Sequence, residues 1–273
     1  PFFKDTTDRN RTSPFAFTGN KFEFRMVGST MSIAGPNFVL NTVVGKELKE
    51  FADTLEGSKN FKADLHNLIV KTIKDHERIL FNGNGYDDAW IEEAEKRGLC
   101  NLKTTPDCLP YFLSDKNVSL FTESGVLTKT EMESRYDITL EAYCKVIGIE
   151  AATMLDMAKK DILPAVTAYI KELADTAVAK KTFIPMCECS YEEDIVSKAS
   201  ALSSKLYAAV KELEDNMAKA SEIGGITELS MFYKDYIIPS MDAVRAPADE
   251  LETITAKKYW PFPTYGDLLF GVR

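Results

Sequence analysis

Lys21, Glu23 and Arg25 alternate with Phe22 and Phe24 across five consecutive residues. That period of two is the signature of a strand. On a strand the three charges share one face, with successive side chains roughly 6.5–7 Å apart, and the two phenylalanines point the other way. A plus, minus, plus row suits a site that holds anionic substrate groups and a cation at once, because burying any one of those charges unpaired is costly. The same pattern also fits an exposed edge strand whose charges sit in water. Upstream, Arg9 and Arg11 precede the turn signal Thr12-Ser13-Pro14, and Gly19-Asn20 forms a second turn before the strand. The order is strand or loop, turn, short extended piece, turn, strand, with both arginines near one mouth. Arginine is the side chain for planar, bidentate grip on phosphate or carboxylate.

Asn10-Arg11-Thr12-Ser13 followed by Lys21-Phe22-Glu23-Phe24-Arg25 resembles the late active-site segment of glutamine synthetases, in which an Asn-Arg-Ser turn leads into an Arg-x-Glu-x-Arg strand. The wording from Asp8 to Arg25 is most similar to the long bacterial type III enzymes. The resemblance continues through Ser32 to Thr42, Phe81 to Tyr86, Thr104-Thr105-Pro106-Asp107 and the closing Tyr259-Trp260-Pro261-Phe262-Pro263, so it spans nearly the whole chain.

The resemblance implies a role for each residue that matches the motif. Glu23 matches the strand glutamate that ligates a catalytic Mg²⁺ or Mn²⁺, and a carboxylate is the right hard ligand for such a cation. Arg25 matches the arginine that holds the carboxylate of the substrate glutamate. Arg11 matches the catalytic arginine that stabilises phosphate and the γ-glutamyl-phosphate intermediate. Lys21 stands where many relatives carry an arginine near the ATP phosphates. A further family arginine is replaced here by Ala16, so that contact is absent or supplied elsewhere.

By the same resemblance the expected reaction is ATP-dependent ligation of ammonia to glutamate. The expected cofactors are ATP and Mg²⁺ or Mn²⁺, the expected location is cytoplasmic, and the expected assembly is a homo-oligomer of stacked rings, a dodecamer. The family's remaining site parts are not in the sequence: the glutamate pairs, the histidine-bearing segments and the glutamate-bearing flap. The chain opens at Pro1 almost inside the motif, so it reads as a C-terminal piece of a longer protein, inactive by itself. The competing reading is a helical assembly or interaction module that keeps a relic of the site.

The wider composition agrees with a globular protein. The 273 residues are 45% hydrophobic and 27% charged, enough to bury a substantial core. A net charge of −9 argues against nucleic acid, whose binders gain affinity from cationic residues. No run of about 18 apolar residues exists, so no membrane partner is expected, and no secretory signal pattern is visible. Five cysteines, Cys100, Cys108, Cys144, Cys187 and Cys189, fit reduced thiols better than a disulfide framework. Cys187-Glu188-Cys189 is not the Cys-x-x-Cys of redox motifs or zinc ribbons. With His66 and His76 the only histidines, a zinc site is not expected. Lys74-Asp75-His76-Glu77-Arg78 reads as a solvated helix face rather than a general base.

Helices must position whatever site exists. The spacing of Val39, Leu48, Phe51 and Leu55 predicts a helix entered near Pro36 and ended by Gly57. A second runs from an N-cap at Ser58 to about Leu80. Asn82-Gly83-Asn84-Gly85 reads as a tight turn rather than a phosphate loop. Tyr86 to Arg97 predicts a short acidic helix stopped by Gly98, and a brief one lies around Leu109 to Leu113. Thr128 begins a long helical region that continues past Pro164, where a kink or interruption is expected, to about Lys181. From Ile195 to Leu213 a strict three-four alternation fits either a coiled coil or an antiparallel bundle helix. Met241 to Lys258 predicts a further helix with an interruption at Pro247. The aromatic tail from Tyr259 to Phe270 predicts docking on the chain itself or on a neighbour.

The expected fold class is therefore α+β and predominantly helical. Residues 1–56 would be the C-terminal end of a catalytic domain, a strand-turn-strand unit plus helix. Residues 57–273 would form a large helical C-terminal region.

Overall fold

The computed structural model describes the backbone of residues 15–17 and 22–24 and the whole of 31–81 and 87–271. The two segments near the start are β1 (Phe15–Phe17) and β2 (Phe22–Phe24), paired antiparallel with Phe15 opposite Phe24, Ala16 opposite Glu23 and Phe17 opposite Phe22. Everything else of regular structure among the described residues is helical. The turns expected at 12–14, 19–20 and 82–85 lie outside the described residues.

Two compact units divide the chain. The first takes residues 1–103 with 108–134, and the second takes 104–107 with 135–273. These spatial units do not follow the sequence boundary expected at residue 56. The helix α1 (Ala34–Leu55) packs on α2 (Phe61–Asp75) and α5 (Asp115–Glu123) within the first unit.

In that unit a small core forms where Phe121 on α5 meets Phe38 on α1 and Phe112 on α4 (Thr105–Phe112), both with ring centroids 5.9 Å away. Leu127 and the fully buried Met132 complete it. Gly57, with φ of +75°, ends α1 in the left-handed conformation that glycine adopts without a steric penalty. Asn60 rather than Ser58 caps α2, accepting from the Ala63 amide, while the Ser58 hydroxyl instead donates to Asp64. The expected run to Leu80 stops earlier. After Asp75 the chain tightens into a single 3₁₀ turn at Glu77–Ile79, and the Arg97 guanidinium holds the Leu80 carbonyl at 2.8 Å. Arg97 closes the short α3 (Asp88–Lys96), and its charge lies 5.5 Å above the Trp90 ring, which stacks on Phe81.

The second unit is an all-helical bundle. Here α6 (Lys129–Met157), which belongs to this unit from Arg135 onward, runs into a π-helical segment at Ala158–Ile162 and then α7 (Leu163–Phe183). A hairpin leads to α8 (Ser190–Ala220), followed by α9 (Ile226–Phe232), a second π segment at Tyr233–Ile237, and α10 (Ile238–Ile254). Its centre is α8, packed between α7 and α10. Ala199, Leu206, Val210 and Leu213 have no exposed surface, and on the facing elements Val166, Ile237 and Leu251 are equally enclosed. Each such large side chain contributes about 1.5–3 kcal/mol relative to exposure. Of the two readings of the Ile195–Leu213 alternation, the bundle helix is the one observed.

Both π segments end two residues before a proline, Pro164 and Pro239. A proline lacks the amide proton and its ring collides with the carbonyl four residues earlier. Those carbonyls belong to Lys160 and Asp235, inside the two widened turns. The Leu163 amide reaches back five residues to Ala158, and Ile238 likewise to Tyr233, which gives the ring room without breaking the helix. So the interruption expected at Pro164 takes the form of a wide turn. Pro247, expected to interrupt α10, does not. It is buried within the continuous helix.

The aromatic tail is divided in its behaviour. Trp260 and Phe262 pack against the bundle core, with their rings edge to face at 6.0 Å. The last helix, α11 (Tyr265–Phe270), is closed by a capping box between Thr264 and Asp267 and leaves Tyr265, Leu268, Leu269 and Phe270 exposed.

Candidate functional site

Of the residues expected to carry chemistry, Glu23 lies in the middle of β2, paired with Ala16. Arg11, Lys21 and Arg25 lie outside the described residues. Glu23 is one carboxylate, and Mg²⁺ or Mn²⁺ demands about six oxygen ligands. Among the described residues no group of three or more histidine, cysteine or acidic side chains is placed to hold a metal ion. The described residues therefore do not make a metal site by themselves. His66 and His76 sit exposed on and just after α2.

Two polar clusters organise the second unit. In the first, Lys234 in the π segment donates to Asp107 at 2.7 Å, and the Thr104 hydroxyl donates to the other carboxylate oxygen. The Asp107 amide donates back to the Thr104 hydroxyl as a local cap, and the Lys234 contact is what ties residues 104–107 to the helical bundle. The Lys234 ammonium, seconded by Thr104, holds Asp107 below the usual carboxylate range. Tyr143 lies close enough to feel this pair, yet its buried hydroxyl has no hydrogen-bond partner among the described residues. Burial pushes its pKa up. The Thr104-x-x-Asp107 pattern is legible as a cap, but Lys234 is 127 residues away and no local signal pairs the two.

The second cluster lines a shallow open groove of about 470 Å³ on α7, bounded by Lys171, Glu172, Asp175, Thr176 and Tyr259. Glu172 accepts from Lys258 through both carboxylate oxygens, each at 2.7 Å, and from the Tyr259 hydroxyl. Lys258 and then Tyr259 depress the Glu172 pKa. The Tyr259 ring lies 5.4 Å from that of Tyr169. Burial, and then the hydroxyl of Tyr191 at 3.2 Å, push Tyr169 up to about 12. With its charges already paired to one another, this groove fastens the tail more than it offers a reactive group.

None of the five cysteines is in a disulfide; Cys144 and Cys189 are buried and Cys100 and Cys108 exposed. No helix among the described residues is long and apolar enough to cross a membrane.

Comparison with known proteins gives a consistent result. Residues 64–181 match the family described as the glutamine synthetase C-terminal domain. The chain is 40% identical over 281 residues to a glutamine synthetase of Butyrivibrio fibrisolvens, a match covering 100% of the chain and 39% of that protein. It is 39% identical over 284 residues to the type-3 glutamine synthetase of Dictyostelium discoideum, covering 99% of the chain and 38% of the relative. A glutamine synthetase of Bacteroides fragilis is 29% identical over 276 residues, with 38% of its length covered. The chain thus spans about two fifths of the length of the curated relatives it matches.

Proposed function

The chain is a relative of the glutamine synthetases, matching their C-terminal portion, and from that premise we propose that it serves ATP-dependent ligation of ammonia to glutamate. The observation that carries this reading is the end-to-end similarity, 40% identity across the whole chain, to a protein bearing that name. In the proposed reaction the side-chain carboxylate of glutamate takes the γ-phosphoryl group of ATP, and ammonia then displaces phosphate.

The roles proposed for this chain's residues follow from charge. Arg25 grips the carboxylate of the bound glutamate, and Arg11 faces the phosphoryl group, where a fixed guanidinium stabilises charge that develops during transfer. Lys21 supports the nucleotide phosphates as a point charge. Glu23 is proposed as one metal ligand. Mg²⁺ or Mn²⁺ would need further oxygen ligands beside Glu23, which the other described residues do not supply. Residues 1–56 are proposed to close the catalytic domain and residues 57–273 to form a helical region beside it. A cytoplasmic homo-oligomer is the setting that goes with this reading.

The test is glutamine formation by the intact protein. We expect activity that requires glutamate, ammonia, ATP and a divalent cation together, and none from the 273-residue chain alone. Failure of the intact protein to form glutamine under all these conditions contradicts the proposal, and activity of the chain alone contradicts the view that its site is completed elsewhere.

A further inference from the structure

The loop between α7 and α8 brings Cys187 and Cys189 together at the surface of the bundle. Residues two apart can lie at most about 7 Å from each other in an extended chain. A disulfide needs Cα atoms about 4.4–6.8 Å apart, so a slight bend suffices. The loop already bends: the Cys187 amide turns back to the Ile184 carbonyl at 2.9 Å, and the Cys189 thiol lies 3.9 Å from the Cys187 carbonyl oxygen. Its two thiols are unequal. Cys187 is partly exposed, flanked by Phe183 and Met186, which are 87% and 91% exposed, whereas Cys189 is 3% exposed and rests 3.8 Å from the Ala177 carbonyl on α7. Lys180 and Lys181, paired to Glu192 and Glu193 across the hairpin, place two cations beside the thiols. Burial, and then Cys187, push the Cys189 thiol up, with Lys181 and Lys180 pulling the other way, so Cys189 resists ionisation.

We propose that Cys187 and Cys189 form a redox switch in which a small-molecule disulfide of the glutathione class oxidises the α7–α8 loop to a Cys187–Cys189 disulfide. The Cys187 thiolate, having lost its proton to solvent, attacks one sulfur of the oxidant, forming a mixed disulfide and expelling one glutathione thiolate. The Cys189 thiolate, likewise deprotonated, then attacks Sγ of Cys187 and expels the second. Two protein thiols lose two electrons, and one small disulfide becomes two thiols. Closing the bond withdraws the Cys189 sulfur from the Ala177 carbonyl and loosens the start of α8, where the buried Glu192 meets Lys180. The exposed carrier and buried resolver give exchange a defined order, because access decides which thiol is attacked first.

The experiment uses the intact protein incubated with oxidised glutathione, digested with trypsin and read by mass spectrometry. Both cysteines fall in the single tryptic peptide of residues 182–198. We expect that peptide to become two hydrogens lighter, Cys189→Ser to trap a glutathione adduct on Cys187, and Cys187→Ser to leave Cys189 unmodified. Amide hydrogen exchange over residues 184–192 should quicken several-fold on oxidation. An unchanged or doubly adducted peptide, under conditions that modify the exposed Cys100, overturns the proposal. So does a disulfide that leaves exchange in the hairpin unaltered.

Discussion

Replacing Leu206 with alanine tests the packing at the centre of the molecule. Leu206 on α8 has no exposed surface and sits among core residues contributed by α7 and α10. Truncating such a leucine removes transfer free energy and leaves a cavity, costing about 2–5 kcal/mol. The unit that contains it holds on the order of 140 residues, for which each kcal/mol lowers Tm by roughly 4 °C. The expected drop is therefore about 8–20 °C. Tyr207, one position along, is the control. It is 56% exposed, and its recognised contact is the Lys211 ammonium 5.6 Å over its ring. An exposed cation–π pair is worth about 0.5–1 kcal/mol, so Tyr207→Ala should lower Tm by less than roughly 4 °C. Thermal denaturation followed by circular dichroism distinguishes the two. Equal losses at positions 206 and 207 would refute the assignment of the α8 seam, since Leu206 is fully enclosed whereas Tyr207 is 56% exposed.

Other outcomes follow from the same geometry. Deleting residues 259–273 removes Trp260 and Phe262 from the core and should lower Tm, with light scattering reporting any fall in assembly state; unchanged mass and Tm together would show the tail to be dispensable. Asp267 titrates at about 2 when folded, below its ordinary 3.8, chiefly because Lys257 and then Thr264 bond its charged form. Its stabilisation of α11 is thus complete above roughly pH 4 and lost as pH falls toward 2, and Asp267→Asn should abolish that acid-dependent fraying in amide exchange of residues 265–270. If the intact protein has the proposed activity, Glu23→Gln should weaken its dependence on the divalent cation, checked by titrating the cation against rate; an unaltered metal dependence would remove Glu23 from the proposed ligand set.

How much of this was legible beforehand varies with the range of the interaction. The α8 alternation, the stop at Gly57 and the disturbance at Pro164 are local, and each was readable because period and backbone chemistry act within a few residues. Pro239 carried the same signal as Pro164, yet its wide turn was not anticipated. The helix α5 was missed because Ser114 to Glu123 has a polar composition and gains its definition from Phe121 burying against Phe38 and Phe112. The end of α2 moved because Arg97 captures the Leu80 carbonyl from 17 residues away. The Asp107–Lys234 bond was likewise beyond local reading. For the candidate site, the motif from Asp8 to Arg25 pointed to a family that whole-chain similarity supports. The roles of its individual residues rest on charge and motif, since Glu23 is the member that lies on a described element.

The central proposal is that Arg25 holds the substrate glutamate, and steady-state kinetics of Arg25→Ala in the intact protein tests it most directly. An interaction made equally in the ground and transition states shows itself first in binding. The account predicts a KM for glutamate raised well above any change in the KM for ATP. Glutamate kinetics indistinguishable from the unmodified enzyme would contradict it.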